Sequence, residues 1–489
     1  MKIRNKFIAF IALVFILSSC QKDFLETAPT DKLSSDVMFE STQGAYLALN
    51  GMYRAFYAYH GNHDRFGHMA TNLEMDLMGD DMVLHSAGYG WFRRQYAMEE
   101  HRNADAGVTF ERWRVYYSLI NNANIILLYV DDADGLPSEK DNIKAQALAV
   151  RAFSYYQLAQ MYAPAITLNP NAAGLPLYTE PTQEGVGRSP LSAVYEQIRN
   201  DLTQSISYFG GSIAQMHKSH VSLPVAHGLL ARTGLAMGDF QLALTHANHA
   251  IDLFPGSLFG PGQYVASSFN THTASEWMWG SVINEEHATI FGSFMSHMDA
   301  RTLSYAQLGL QKKISQALYD QIPDSDVRKA LWIAPGEGSG ALVDRNQMKF
   351  LLQTIGSWEA DYVYMRLAEM YLIKAEAEAR LNTGTPAQTL FALISQRDPE
   401  YTLSTNTGQA LVDEIMLHRR IELWGEGFRF IDIKRTGAGL NRPAGAPQNH
   451  DPSLAVVMTL EPNSPVFVWK IPTSEIDAND YITQDDQNP

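Results

Sequence analysis

YMRLAEMYLIKAEAEARLNTGTPAQTLFALISQR, residues 364–397, carries the pattern of two helices joined by a tight break. Its first half is rich in alanine, with large apolar residues returning every three or four positions, the spacing of one helix face. Gly384, Thr385 and Pro386 interrupt the pattern, and a second apolar helix follows at once. Small residues on one helix facing large ones on the next let two antiparallel helices approach closely.

The same plan returns upstream. SLPVAHGLLARTGLAMGDFQLALTHANHAIDLF (222–254) breaks at Gly238-Asp239 and then sets Phe240, Ala243, Ala247 and Ala250 on one stripe. NIKAQALAVRAFSYYQLAQMYA (142–163) is alanine-rich with aromatics at helical spacing. Helix pairs of this kind are the tetratricopeptide plan, but here long unlike stretches separate the copies. The fold expected is mainly α, a helical-repeat scaffold carrying large insertions, long loops and a few short strands.

Other segments complete it. Ser41 or Thr42 can cap a helix whose apolar face is Ala45, Leu49, Met52 and Phe56. FERWRVYYSLINNANIILLYV (110–130) reads as a helix; its Asn121, Asn122 and Asn124 are poor helix formers, expected to bond neighbouring backbone. SEWMWGSVIN (275–284) and VFVWKIP (466–472) read as strands, and Trp113, Trp424 and Trp469 as core rings. From about Gly437 onward the chain is rich in Pro, Asn, Asp and Gly, hence irregular.

The only cysteine, Cys20, ends Leu17-Ser18-Ser19-Cys20 after an apolar run, Phe7–Leu17, and a basic start, Lys2, Arg4 and Lys6. The run is too short to span a bilayer, which needs about 20 apolar residues. It has the length of a signal-peptide core, and the four residues match a bacterial lipobox. Cleavage would leave an acylated Cys20 as the new N-terminus, a lipid anchor holding the chain beyond the inner membrane of a Gram-negative-type cell. Residues 20–40 then read as a flexible tether. Removing Lys2, Arg4 and Lys6 lowers Lys+Arg from 37 to 34 against 53 Asp+Glu, a net charge of −19. Such a surface repels phosphate backbones, so nucleic acid is not an expected partner.

HRRIELWGEGFRFIDIKR (418–435) is the most distinctive interval: a helix through Trp424, a break at Gly425-Glu426-Gly427, then an aromatic and basic segment. Charges this dense around glycines read as tying a loop to helices. WKIPTSEIDANDYITQDDQNP (469–489) closes the chain. Together these resemble the SusD/RagB family of outer-membrane nutrient-binding lipoproteins. Arg419, Glu422, Leu423, Glu426, Gly427, Arg429, Asp432 and Arg435 fit one family pattern, with Ile433 in place of a leucine. Ile471, Pro472, Glu475, Ile476, Asn479, Thr483 and Gln484 fit another. NNAN (121–124) and GRSPLSAVYEQIRNDL (187–202) fit in the same order.

The resemblance implies a binding protein and not an enzyme, without cofactor. It implies capture of an oligosaccharide or other nutrient at the cell surface and delivery to a SusC-like TonB-dependent transporter. The regions expected are a signal peptide (1–19), the tether (20–40), a SusD-like N-terminal region (41–215) and a RagB/SusD C-terminal region (216–489), the last two in one body. A sugar ring offers an apolar face and a girdle of hydroxyls, which suits exposed aromatics flanked by polar groups on loops held by a scaffold. GDDMVLHSAGYGWFRRQY (79–96) is the best candidate loop, with Tyr89, Trp91 and Phe92 followed by Arg93, and with Asp80, Asp81 and His85 to meet hydroxyls. By position in the family, EEHATIFGSFMSHMDARTLSY (285–305) adds Phe291, Phe294, His297 and Tyr305.

Two alternatives are a surface glycosidase and a docking scaffold without a small ligand. Adjacent acids (Asp80/Asp81, Glu99/Glu100, Glu285/Glu286) rarely aim at one glycosidic bond. The pairs His60/His63, His217/His220 and His246/His249 lack the third ligand and activating acid of catalytic zinc, so no metal is expected. No G-x-S-x-G, Walker A or G-x-G-x-x-G occurs.

Overall fold

The computed structural model describes residues 35–489, so Cys20, the signal peptide and most of the tether lie outside the described residues. Its helices of eight residues or more are α1 (Thr42–Arg54), α2 (His68–Leu77), α3 (Gly107–Tyr129), α4 (Pro137–Tyr162), α5 (Leu191–Phe209), α6 (Leu223–Met237), α7 (Phe240–Leu253), α8 (Leu367–Leu381), α9 (Pro386–Ile394), α10 (Gly408–Glu422) and α11 (Arg429–Thr436). Eight short strands pair only in twos: β1 (Met82–Leu84) with β5 (Lys312–Ile314), β2 (Ala173–Pro176) with β3 (Arg188–Pro190), β4 (Trp277–Ser281) with β6 (Tyr362–Arg366), and β7 (Leu440–Asn441) with β8 (Thr459–Leu460).

Local chemistry puts the helix ends where the sequence marks them. Ser41 caps α1 by accepting from the Gly44 N–H, 3.3 Å. Gly238, in the left-handed conformation, ends α6, and Asp239 opens α7 by accepting from Leu242, 2.9 Å. Asn382 ends α8 in the same conformation, and Pro386 opens α9 at its first turn. Ala243, Ala247 and Ala250 are fully buried, so α7 packs through small side chains between α6 and α8. The helix-turn-helix reading of 222–254 and 364–397 therefore holds.

Both Trp277 and Trp279 are buried, as is Met278 between them, so β4 is enclosed on both faces. Trp113, Trp424 and Trp469 are core rings as expected. The strand expected at 466–472 does not form. Pro465–Phe467 is a 3₁₀ turn, and beyond it the Trp469 and Lys470 amides donate to Met161 and His101 carbonyls (2.9 Å each), so among the described residues no neighbouring strand completes a ladder. The body also reaches back before residue 41, since Phe39 is buried and stacks on Tyr129, ring centroids 5.5 Å apart.

The interval 418–435 is the ionic centre of the core. Glu422 meets Arg366 (3.0 Å), Arg397 (3.1 Å) and Arg328 (3.3 Å), and these three arginines hold its carboxyl far below the usual range against the cost of burial. Glu426 meets Arg366 (2.7 Å) and Lys349 (2.6 Å). Gly427 has φ +88°, and a Cβ there would fall 2.6 Å from the Asn72 side-chain oxygen, so the turn seats directly on α2. Asp76 of α2 accepts from the Gly427 and Arg429 amides, 2.9 and 3.2 Å. The motif ties a loop to helices.

Candidate functional site

The antiparallel register of β1 and β5, Met82↔Ile314 to Leu84↔Lys312, decides where the candidate loops meet. Leaving β1, the chain enters 85–92; entering β5, it comes from 299–311, so both loops share one end of the ribbon. Beyond the strands the His85 amide donates to Gln311 (3.0 Å) and the Ser86 hydroxyl to Gly309 (2.5 Å). A Cβ on Gly88, at φ +41°, would fall 2.7 Å from the Leu310 side chain, so only glycine lets the two loops close.

A third loop joins them. Past α1 the His60 amide donates to the Arg65 carbonyl (2.9 Å) and the His68 amide to Phe56 (2.8 Å), folding 57–67 back on itself. His63 then stands among rings from the other loops, with centroids 5.2 Å from Trp91, 5.5 Å from Tyr305 and 6.2 Å from Phe291. Its Nδ1 lies 2.5 Å from the Tyr305 hydroxyl. Tyr305 further touches Tyr89 (5.9 Å), Trp91 (5.9 Å) and Phe291 (5.0 Å). Tyr59 flanks His63 at 6.0 Å. Tyr89 is 68% exposed and Tyr59 42%, Trp91, His63 and Phe291 are half-buried, and Tyr305 is buried beneath them. Six rings thus form one platform with an open upper face.

Beneath it lies a supporting layer. His297 stacks on Tyr305 (5.2 Å) and on Phe66 (5.5 Å), and its Nε2 bonds the His63 carbonyl oxygen at 2.8 Å. Burial, chiefly, drives its pKa well below the usual imidazole value, so it is a neutral donor. Phe92, at φ +61° and fully covered, meets the His297 ring edge-on at 4.8 Å. Lys312 lies 5.9 Å over Phe92 and donates to the Leu310 carbonyl (2.8 Å); burial pulls its pKa down to about 7.

Of the expected site residues, Tyr89, Trp91, Phe291 and Tyr305 converge on the platform. Arg93 is exposed beside it in sequence, and no described residue hydrogen-bonds its guanidinium. His85 is half-buried; its Nδ1 is buried without a partner, and burial with nearby Lys313 lowers its pKa. The remaining five take other places. Asp80 is bound by Arg429, 2.6 and 3.0 Å, and Asp81 by Arg420, 2.5 and 3.0 Å, both buried in the ionic core, so neither carboxylate is free for a hydroxyl. Phe92 and His297 are buried supports, and Phe294 packs away from the loops on Phe350 (5.0 Å) and Tyr362 (5.9 Å). Sequence reasoning missed Tyr59 and His63. The signal was present, since YAYHGNHDRFGH (57–68) is as dense in rings around glycine as 88–92.

Family models match two long stretches of the chain. Residues 348–489 match the one described as the SusD family, and residues 23–235 the one described as starch-binding associating with outer membrane. The chain belongs to the SusD/RagB family. Among solved structures, this SusD-family chain is similar to a SusD-like carbohydrate binding protein from Bacteroides vulgatus, at 28% identity with a TM-score of 0.81, covering 92% of this chain and 99% of that one. It shares the fold of surface glycan-binding protein A from Bacteroides thetaiotaomicron, a structure in complex with laminarihexaose (17% identity, TM-score 0.71, 91% and 99% covered). Among curated proteins it is similar to SusD-like protein P25 of Formosa agariphila, at 24% identity over 89% of this chain and 90% of that one. Among the described residues, no cluster of three or more His, Cys, Asp or Glu is placed to hold a metal ion, and no helix is long and apolar enough to cross a membrane.

Proposed function

We propose that the chain is a glycan-binding lipoprotein of the cell surface, anchored through Cys20, that holds an oligosaccharide on the six-ring platform and passes it to a SusC-like TonB-dependent transporter without cleaving it. The observation that carries this reading is the platform itself: Tyr59 and Tyr89 are exposed and Trp91 half-buried on a base that His63, Phe291, Tyr305, Phe92 and His297 hold in place. Rigid rings stack on the C–H faces of pyranoses at little entropic cost, while His63 and Arg93 offer polar atoms to hydroxyls. None of the six is a carboxylate, and hydrolysis needs two acids about the scissile bond. Asp80 and Asp81 of the 79–96 loop are tied to arginines, and Asp64, next to His63, is buried and accepts from Gln95 at 3.2 Å. Similarity to a carbohydrate binding protein and a family description naming starch support the glycan class. The mature charge of −19 favours neutral over polyanionic polymers.

Electrophoresis of the mature protein through gels containing starch or laminarin, with a reducing-end assay on the same glycans, tests the reading. Retardation in at least one gel without new reducing ends is the expected result. Steady release of reducing ends would replace the binding protein with an enzyme.

A further inference from the structure

A cavity of about 480 Å³ opens between α3, the loop 178–185 and the short helix Thr473–Ala478. It shares no residue with the ring platform. Phe110, Trp113 and Tyr117, then Ser118, Asn121 and Asn122, follow one another along α3 at helical spacing. One stripe of the helix is therefore aromatic in its first half and amide and hydroxyl in its second. Phe110 is 40% exposed, and Tyr117 is half-buried with its ring 4.7 Å from Trp113.

The walls are built in advance. Asn124 donates to the Tyr178 and Glu180 carbonyls (3.0 and 3.2 Å), and the Tyr117 hydroxyl to Pro176 (3.0 Å). Glu475 accepts from the Trp113 indole (3.1 Å) and from Asn479 (2.9 Å), and Asn479 also donates to the Val186 carbonyl (3.1 Å). A Cβ on Gly185 would fall 2.2 Å from Asn479, so the loop and the C-terminal segment touch directly. Of the three asparagines marked in the sequence, only Asn124 thus serves the backbone. Ser118, Asn121, Asn122 and Gln183 line the cavity, and none of their side chains bonds any described residue. Asparagine is a poor helix former. Asn121 and Asn122 sit inside α3 without a structural partner to explain them, and their amides are open to a ligand.

We propose that this cavity is a second saccharide subsite for a neutral pyranose, its C–H face on Phe110 and Tyr117 and its hydroxyls on the amides of Asn121 and Asn122. Its volume lies in the range of small-ligand pockets. Glu180, Glu184 and Glu475 line it, while Arg114, the one cation there, is drawn to Glu111 at 2.9 Å, so acidic sugars are disfavoured. The inference rests on the glycan reading above for its place in the protein's work, but its test reads the cavity alone.

The test uses the mature chain carrying Trp91→Ala, which removes the principal platform ring. Crystals are soaked with glucose, galactose, mannose, N-acetylglucosamine or glucuronate, and each sugar is followed by saturation-transfer NMR in solution. At least one neutral hexose is expected in density against Phe110, with a solution signal that Ser118→Phe or Asn122→Ala cuts at least two-fold and no matching signal for glucuronate. Thermal melts confirm that both variants fold. An empty cavity with every sugar, a signal that neither variant reduces, or equal binding of glucuronate would overturn the subsite. Oligosaccharide binding abolished wholly by Trp91→Ala sinks the subsite and leaves the platform standing. Binding that ignores Trp91→Ala but falls with Ser118→Phe sinks the platform reading and keeps the subsite.

Discussion

The Nδ1 of His63 lies 2.5 Å from the hydroxyl of Tyr305, joining the loop after α1 to the loop that leads into β5. This bond fixes the two polar atoms at the centre of the platform and turns three separate loops into one surface. Tyr305→Phe keeps the ring and deletes the bond. We expect stability to fall by about 1 kcal/mol, and glycan affinity to fall a few-fold as the His63 ring loosens. Thermal melts and calorimetry of the pair would check this; unchanged affinity would mean that His63 needs no such tether.

Asp80 tests the division between core and site. Asp80→Asn weakens the pair with Arg429, which keeps Asp81 at 3.3 Å. The expected cost is about 2 kcal/mol of stability with glycan affinity of the folded protein unchanged. Loss of affinity at an unchanged melting temperature would return Asp80 to the binding surface.

Acid should weaken the fold well above the pH at which ordinary carboxylates titrate. Burial, as the leading cause, lowers His68 and His418 to about 3 and His101, His220 and His450 to about 4. These groups stay neutral in the fold while the unfolded chain takes up protons below about 6.5, so stability is lost as pH falls through that value. Glu74 and Asp76, pushed up by burial to about 8 and about 7, act in the opposite sense, but the histidines outnumber them. Below about 4.5, Glu422 and Glu426, both depressed by arginine, add to the loss. Urea midpoints should therefore fall steadily between pH 6.5 and 4; a flat profile would mean that these imidazoles are charged in the folded state.

Anchoring is tested separately. Cys20→Ser should release the protein from the membrane fraction and abolish labelling by radioactive palmitate, leaving the melting temperature of the folded body unchanged. Retention in the membrane without label would place the anchor elsewhere.

Much of the fold was legible because its signals are local. Ser41, Gly238-Asp239 and Pro386 mark helix ends by their own backbone chemistry, and the alanines of α7 mark close packing wherever they fall. Signals that depend on a distant partner were not. VFVWKIP has the composition of a strand, yet among the described residues no neighbouring strand arrives to pair with it. Asp80 and Asp81 read as free acids until Arg429 and Arg420 come alongside from the other end of the chain. In the candidate site Tyr89 and Trp91 were visible as rings on a glycine turn. Phe92, one residue on, differs only because a left-handed backbone turns it inward.

Calorimetric titration of the mature protein and its Trp91→Ala variant with the glycan that retards it on gels measures the platform's share of binding. The variant is expected to lose about 2 kcal/mol of binding, roughly thirty-fold in Kd, while melting within a few degrees of the parent. Equal affinity in the two proteins, or a variant that loses binding only because it unfolds, would rule the platform out as the glycan site.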